Sequence, residues 1–393
     1  MIPGIDRTAA LPVQRAAMAG EFPIAALADP VATAPAPWYR SRMRARAGWR
    51  ALAIGLAIAA VACGHDRAPA KPPAQRAFYF WRTTFALAPA ERAALTDLHV
   101  GTLYLRMFDV GWADGALTVL GPLAIPDDAT APPGVAVVPT VYLTNELFKQ
   151  LDDAGVPALA ALVVREVGAR AARLGVTPRE LQLDCDWTDT TRARYFAFLT
   201  ALRGAVAAGT TLSATIRLHQ IKYRERTGVP PVDRGMLMFY NMGTFSADPE
   251  ARAIFDERSA ARYLARLRDY PLPLDGALPI WSWVIHLRDG AVEGLMQSTD
   301  PAELAAVEFL RPAGPDRFEA TRSTFLHGSF LRAGDILKIE VTGPAETLTA
   351  AGMLARHLAA TATPRTIALF DLSERNLARH GTESLDHVFQ TAR

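Results

Sequence analysis

Asp184 and Asp186 lie two residues apart in Leu181-Gln182-Leu183-Asp184-Cys185-Asp186-Trp187-Thr188. Strict alternation puts Gln182, Asp184 and Asp186 on one face of a strand and Leu181, Leu183 and Cys185 on the other. Successive side chains on one face are about 7 Å apart. Two carboxylates that close on a low-dielectric surface push their pKa values apart, so one holds a proton while the other stays ionised. Glycoside hydrolysis needs that division: an acid protonates the leaving oxygen and a carboxylate stabilises or activates across the ring. Asp186, nearer the strand end, is expected to be the acid, and Asp184, deeper, the stabilising carboxylate. The competing reading is a structural carboxylate pair tied to Arg106 and Arg217.

Other side chains converge on the same chemistry. Leu212 to His219 alternates without error, with Ser213, Thr215, Arg217 and His219 facing one way. Arg217 is a bidentate carboxylate partner that could hold Asp184 ionised or bind an acidic substrate group; His219, further along, would reach the substrate. Gly101 to Asp109 also alternates, placing Thr102, Tyr104, Arg106 and Phe108 together. Tyr240 and Asn241 close a further strand and offer hydrogen-bond donors. Trp81, Trp281 and Trp283, near strand ends, could stack on sugar faces or simply fill core. His286 and Asp371 are secondary candidates. Asp184, Asp186 and His219 lack the spacing of a metal motif, so no metal is expected, and no cofactor is implied. Cys63 and Cys185, the two cysteines, support neither a disulfide framework nor a cysteine zinc site.

The elements that would position these residues repeat as strand then helix. Strands are expected at 77–82, 101–109, 135–143, 181–186, 212–219, 235–242, 278–286 and 366–372. Helices are expected at 89–98, 158–174, 192–207, 259–268, 345–358, 375–379 and 384–389. This rhythm predicts an α/β fold, a (βα)8 TIM barrel over 77–390, whose strand ends present chemistry at one rim. Residues 287–345 interrupt it and are too long for an ordinary loop. Short strands around Gly334-Asp335 predict a small β insertion between strands seven and eight.

The 393 residues are 50% hydrophobic and 21% charged, ordinary for a folded globular protein. A net charge of +2, with no basic stripe interleaved with aromatics, gives no argument for nucleic acid. Residues 1–42 lack periodicity and read as disordered or as a misassigned start. Arg44, Arg46 and Arg50 then precede the apolar run Ala51 to Ala62, the layout of a signal peptide over 43–63. The run is short for a bilayer span. Ala60-Val61-Ala62-Cys63 resembles a bacterial lipobox, which implies lipidation of Cys63 and a membrane anchor. Gly64 after the cysteine implies, by the same resemblance, an outer-membrane location facing the periplasm. Residues 64–76 read as a tether.

Asp184-x-Asp186, then Met238-Phe239-Tyr240-Asn241, then the Trp281/Trp283 segment resemble chitinase-type glycoside hydrolases. In that family the strand-four motif continues to a catalytic Glu, where this chain has Thr188, and an Asp follows the strand-six Tyr, where this chain has Asn241. Leu183-Asp184-Cys185-Asp186-Trp187-Thr188, with Phe78-Tyr79-Phe80-Trp81-Arg82 and Phe239-Tyr240-Asn241-Met242-Gly243, is similar to a group of uncharacterised bacterial lipoproteins with a predicted barrel. That likeness spans nearly all of 77–390 and brings no activity with it. The sequence thus points to a lipid-anchored envelope protein with a glycoside hydrolase acting on a polysaccharide, or to a non-catalytic carbohydrate-binding or scaffold lipoprotein.

Overall fold

The computed structural model describes residues 74–296, 299–358 and 364–392. The leader, Cys63 and all of the expected tether except its last three residues lie outside them. The first strand, β1, is Gln75–Phe80, so the barrel starts inside the segment expected to be tether. The next strands are β2 (Thr102–Ala113), β3 (Ala116–Leu120), β4 (Ala136–Leu143), β5 (Glu180–Asp184), β6 (Thr211–Arg217), β7 (Arg234–Met238) and β8 (Leu274–Pro279). Thr366–Phe370 forms the last strand of the chain, β16. The sheet order is β1-β16-β8-β7-β6-β5-β4-β2-β3, and β1 also pairs with β2. Eight parallel strands therefore close a barrel, with β3 antiparallel on the end of β2. The expected (βα)8 architecture is present.

Alternation builds this ring as expected for most strands. Leu181, Leu183 and Cys185 are buried on the outer face, beneath helices. Gln182 points inward, where its Oε1 accepts from Tyr79 Oη at 2.7 Å. The helix Val156–Arg173 buries Val156, Leu159, Ala160, Val163 and Val167, one stripe at helical spacing, and leaves arginines outside. Trp187 anchors the turn after β5: its Nε1 donates to Thr227 O at 2.8 Å and its ring stacks on Tyr195 at 5.2 Å.

Three expectations need correction. In β2 the register shifts between Arg106 and Phe108. A bulge inserts one residue and turns the following side chains to the other face. Phe108 accordingly lies beneath the Arg170 guanidinium of an outer helix, 5.0 Å away, rather than beside Arg106. The eighth residue of the expected fifth strand, His219, sits in the helix Leu218–Lys222. The expected strand 278–286 is two elements. β8 ends at Pro279, and Ser282–Arg288 (β9) leaves the barrel to join a separate antiparallel sheet. Proline cannot donate to a ladder, which suits it to a strand end.

The insertion therefore begins at β9 rather than at 287. It contains β10 (Ala291–Leu295), β11 (Leu310–Pro312), β12 (Arg317–Ala320), β13 (Thr324–Leu326), β14 (Ser329–Leu331) and β15 (Ile336–Val341). Five of these strands form a sheet ordered β10-β9-β15-β12-β11, and β13-β14 is a hairpin. Val284, Met296, Leu304, Leu310, Leu331 and Leu337 give it a small core of its own. Among the described residues no helix is long and apolar enough to cross a membrane.

Candidate functional site

Asp184 ends β5 and is 3% exposed. The side chain of Asp186, beyond the strand end, is 32% exposed. Arg217 ends β6 and joins them: Nη2 donates to Asp184 Oδ1 at 3.1 Å, and Nε donates to Asp186 Oδ1. Thr215 Oγ1 donates to the same Asp184 oxygen at 2.6 Å. Burial pushes the Asp184 carboxyl above its ordinary range; Arg217 opposes this and the Asp186 charge adds to it. The two carboxylates raise the pKa of Arg217 although burial alone would lower it. Burial thus favours the protonated form of the deeper carboxyl, Asp184. The guanidinium occupies the place between the carboxylates that a cation would need.

Arg106 is not a partner of Asp184. It is fully buried, its Nη2 lies 2.7 Å from Asp109 Oδ2, and its Nη1 donates to Gly121 O at 2.8 Å. Asp109, also fully buried, has its carboxyl pushed up to about 6, chiefly by burial, against the pull of Arg106. Asp109, Tyr142 and Asp184 are direct cross-strand partners on β2, β4 and β5. Asp109 was missed because residues 106 and 109 face opposite ways in a regular strand. An Arg–Asp pair at that odd spacing was the available sign of a bulge.

His219 is partly exposed; burial lowers its pKa and the Asp186 charge opposes that. Asn241 is exposed and has a left-handed backbone, φ 54°. Tyr240 is buried, donates to Met238 Sδ at 3.0 Å and interacts with Arg217. Its ring begins an aromatic wall. Trp281 stands perpendicular to it at 4.7 Å, Phe370 lies 5.4 Å from Trp281, and Trp283 lies 5.9 Å from Trp281. Phe245 extends the wall at 4.9 Å from Trp283, and Trp81 packs on Phe370 at 5.5 Å. Trp281 and Trp283 are partly exposed, while Trp81 is buried. The structure brings the three tryptophans of the sequence into one wall through Phe370, and adds Phe245, which no sequence pattern singled out.

Trp283 is held from behind. Glu340 Oε2 accepts from its Nε1 at 3.4 Å and from Ala253 N at 2.8 Å. Lys338, buried beside Glu340, donates to the carbonyls of Ser246, Asp248 and Ala251. One strand of the insertion thus fastens the loop after β7 to the wall. His286 belongs to the insertion, with Nε2 2.7 Å from Asp335 Oδ2. Asp371, just past β16, accepts from Asn376 Nδ2 at 2.7 Å; burial pushes its carboxyl up to about 6.

No protein-family model and no curated protein sequence matches the chain. A chitinase from Chromobacterium violaceum ATCC 12472 superposes with a TM-score of 0.50 at 12% identity, covering 81% of this chain and 98% of that one. The spore cortex-lytic enzyme SleL of Bacillus cereus gives 0.49 at 12% identity, covering 82% and 75%. The first of these shows the fold. It is a (βα)8 barrel, shared with that chitinase. Thr188, at the position where the sequence resemblance would put a catalytic Glu, has its Oγ1 within 2.9 Å of Thr190 Oγ1, and its N donates to Thr191 Oγ1 at 3.0 Å. This turn is tied together by threonine hydroxyls.

Proposed function

We propose that the protein is a glycoside-hydrolase-like envelope protein whose barrel mouth binds a carbohydrate chain. The carrying observation is the contact of two features. Tyr240 interacts with Arg217 on one side and packs against Trp281 on the other. A sugar ring needs both an apolar wall for its C–H face and charged groups for its hydroxyls. Trp281 and Trp283 supply the first, and Asp186 with Arg217 the second. The chitinase-type fold supports this substrate class.

Binding without cleavage is the reading the geometry favours. Both carboxylates share one guanidinium, and position 188 holds no acid. Cleavage is the second reading, and the raised pKa of Asp184 beside the ion-paired Asp186 supports it. A glycan array followed by calorimetric titration of the best oligosaccharide tests both. Trp281→Ala is expected to weaken binding at least tenfold, and Asp186→Asn several-fold. Release of reducing ends by the wild type, lost in Asp184→Asn and Asp186→Asn, would establish cleavage. Failure to bind any glycan would remove both readings.

The proposal includes an anchor at Cys63, on the strength of the Ala51–Ala62 run and the small residues before the cysteine. A single acyl chain binds membranes only marginally, so a stable anchor needs further chains. Metabolic palmitate labelling should be lost in Cys63→Ser, and fractionation would then decide between inner and outer membrane; unchanged labelling would remove the anchor.

A further inference from the structure

We propose that the far end of the insertion carries a second carbohydrate site, a stacking platform beside a polar cavity, which rests on the carbohydrate reading of the mouth. The platform is the hairpin β13–β14. Phe325 and Phe330 are direct cross-strand partners with rings 5.2 Å apart. They are 68% and 46% exposed, the two most exposed large apolar side chains among the described residues. Their neighbours Leu326 and Leu331 are buried in the insertion core, so the pleat itself sends the phenylalanines outward. His327 and Gly328 connect the strands with φ of 47° and 82°, the tight primed turn that fixes hairpin register. The two rings are therefore presented on a rigid support.

Phe330 also lines a cavity of about 250 Å³ with His286, Arg288, Glu293, Leu295 and Ser329. Glu293 enters it because the β9–β10 register slips between Val292 and Gly294. The cavity is polar without excess positive charge. Arg288 Nη2 is 2.8 Å from Asp335 Oδ2, and its Nη1 is 3.2 Å from Glu293 Oε2. A guanidinium already met by two carboxylates has little left for a phosphate or an anionic headgroup. An uncharged ligand with an apolar face and many hydroxyls fits both halves of the site, which is the chemistry of a sugar ring. β9 runs from Trp283, in the mouth wall, to Arg288, in the cavity. The span is about 17 Å, so one polymer could meet both places.

The test compares the intact wild type, a Phe325→Ala/Phe330→Ala variant, the corresponding double Tyr variant and Trp281→Ala. Each is cosedimented with insoluble chitin, cellulose and peptidoglycan sacculi, and with vesicles of phosphatidylglycerol. Soluble chito-oligosaccharides are titrated in parallel. The double Ala variant is expected to lose at least fivefold in retention on the polymer the wild type prefers, with unchanged oligosaccharide affinity and melting temperature. The double Tyr variant should restore retention, because a stacking ring is restored. Trp281→Ala should weaken oligosaccharide binding instead, so failure of the mouth reading is seen separately. Equal retention of wild type and double Ala variant overturns the platform. So does a wild type that none of the polymers retains, or loss in the Ala variant confined to vesicles, which would mark a lipid contact.

Discussion

Arg217 holds its two carboxylates by different atoms, and a residue that touches only one of them could not replace it. Lysine is a point charge without the fork, so Arg217→Lys is expected to keep the fold but loosen Asp186. Arg217→Met leaves two carboxylates with no cation and should destabilise by about 3 kcal/mol; urea unfolding measures it. Asp109 and Arg106 form the deeper pair. Asp109→Asn leaves a buried guanidinium without its counter-charge and should also cost about 3 kcal/mol. Because desolvation of both ions is then removed, Arg106→Met/Asp109→Leu should recover most of that loss. A double variant as unstable as Asp109→Asn would show that the pair contributes more than it costs to bury.

At the scale of elements, Lys338 joins β15 to the loop that follows β7 by three bonds to backbone carbonyls. Lys338→Met strips those carbonyls of their donor and leaves Glu340 buried without a cation. A loss of about 3–5 kcal/mol is expected, with a red shift of tryptophan emission as Trp283 loses its support. An unshifted spectrum would mean that the wall stands without the insertion. This joint was invisible in the sequence, because residues 246 and 338 meet only through the fold. The barrel rhythm was legible, since most of the strands alternate cleanly or are continuously apolar, and Asp184, Asp186 and Arg217 could be brought together from adjacency alone. Two errors came from the same source. Leu278 to Ile285 is apolar but for Ser282, so its pattern carried across the corner where β8 ends, and Pro279 was the clearest mark of that corner. His219 continued an alternation by chance into a helix, where the two residues Leu218 and His219 are too few to separate a period of 2 from 3.6. The Arg106–Asp109 pair was hidden for a different reason: a one-residue bulge shifts a face without altering composition.

The molecule as a whole buries carboxyls at both ends of its barrel, and this fixes the sign of its pH response. Burial pushes Asp275 up from 3.8 to about 7, and Asp109 and Asp371 to about 6. Each therefore binds its proton more tightly in the native state. Their contribution is complete below the unfolded value near 3.8 and is lost as the pH rises through 6 to 7. Asp335, lowered to about 2, acts oppositely, and its contribution is lost only as the pH falls toward 2. His219 and His380 have pKa values lowered by burial, so they reduce stability as the pH falls below about 6.5. Between pH 6.5 and 8.5 Asp275 loses its contribution, and the two histidines partly offset that loss up to about pH 7.5. The Asp275 part of that change is a fall of about 1 kcal/mol, worth about 2 °C in melting temperature for a domain of this size. Asp275 accepts from Thr366 N and from Arg234, so Asp275→Asn will be less stable at every pH. Its diagnostic is the slope: from pH 6.5 to 8.5 the melting temperature of Asp275→Asn should gain about 2 °C on that of the wild type. An equal slope in the variant would assign the pH response to another group.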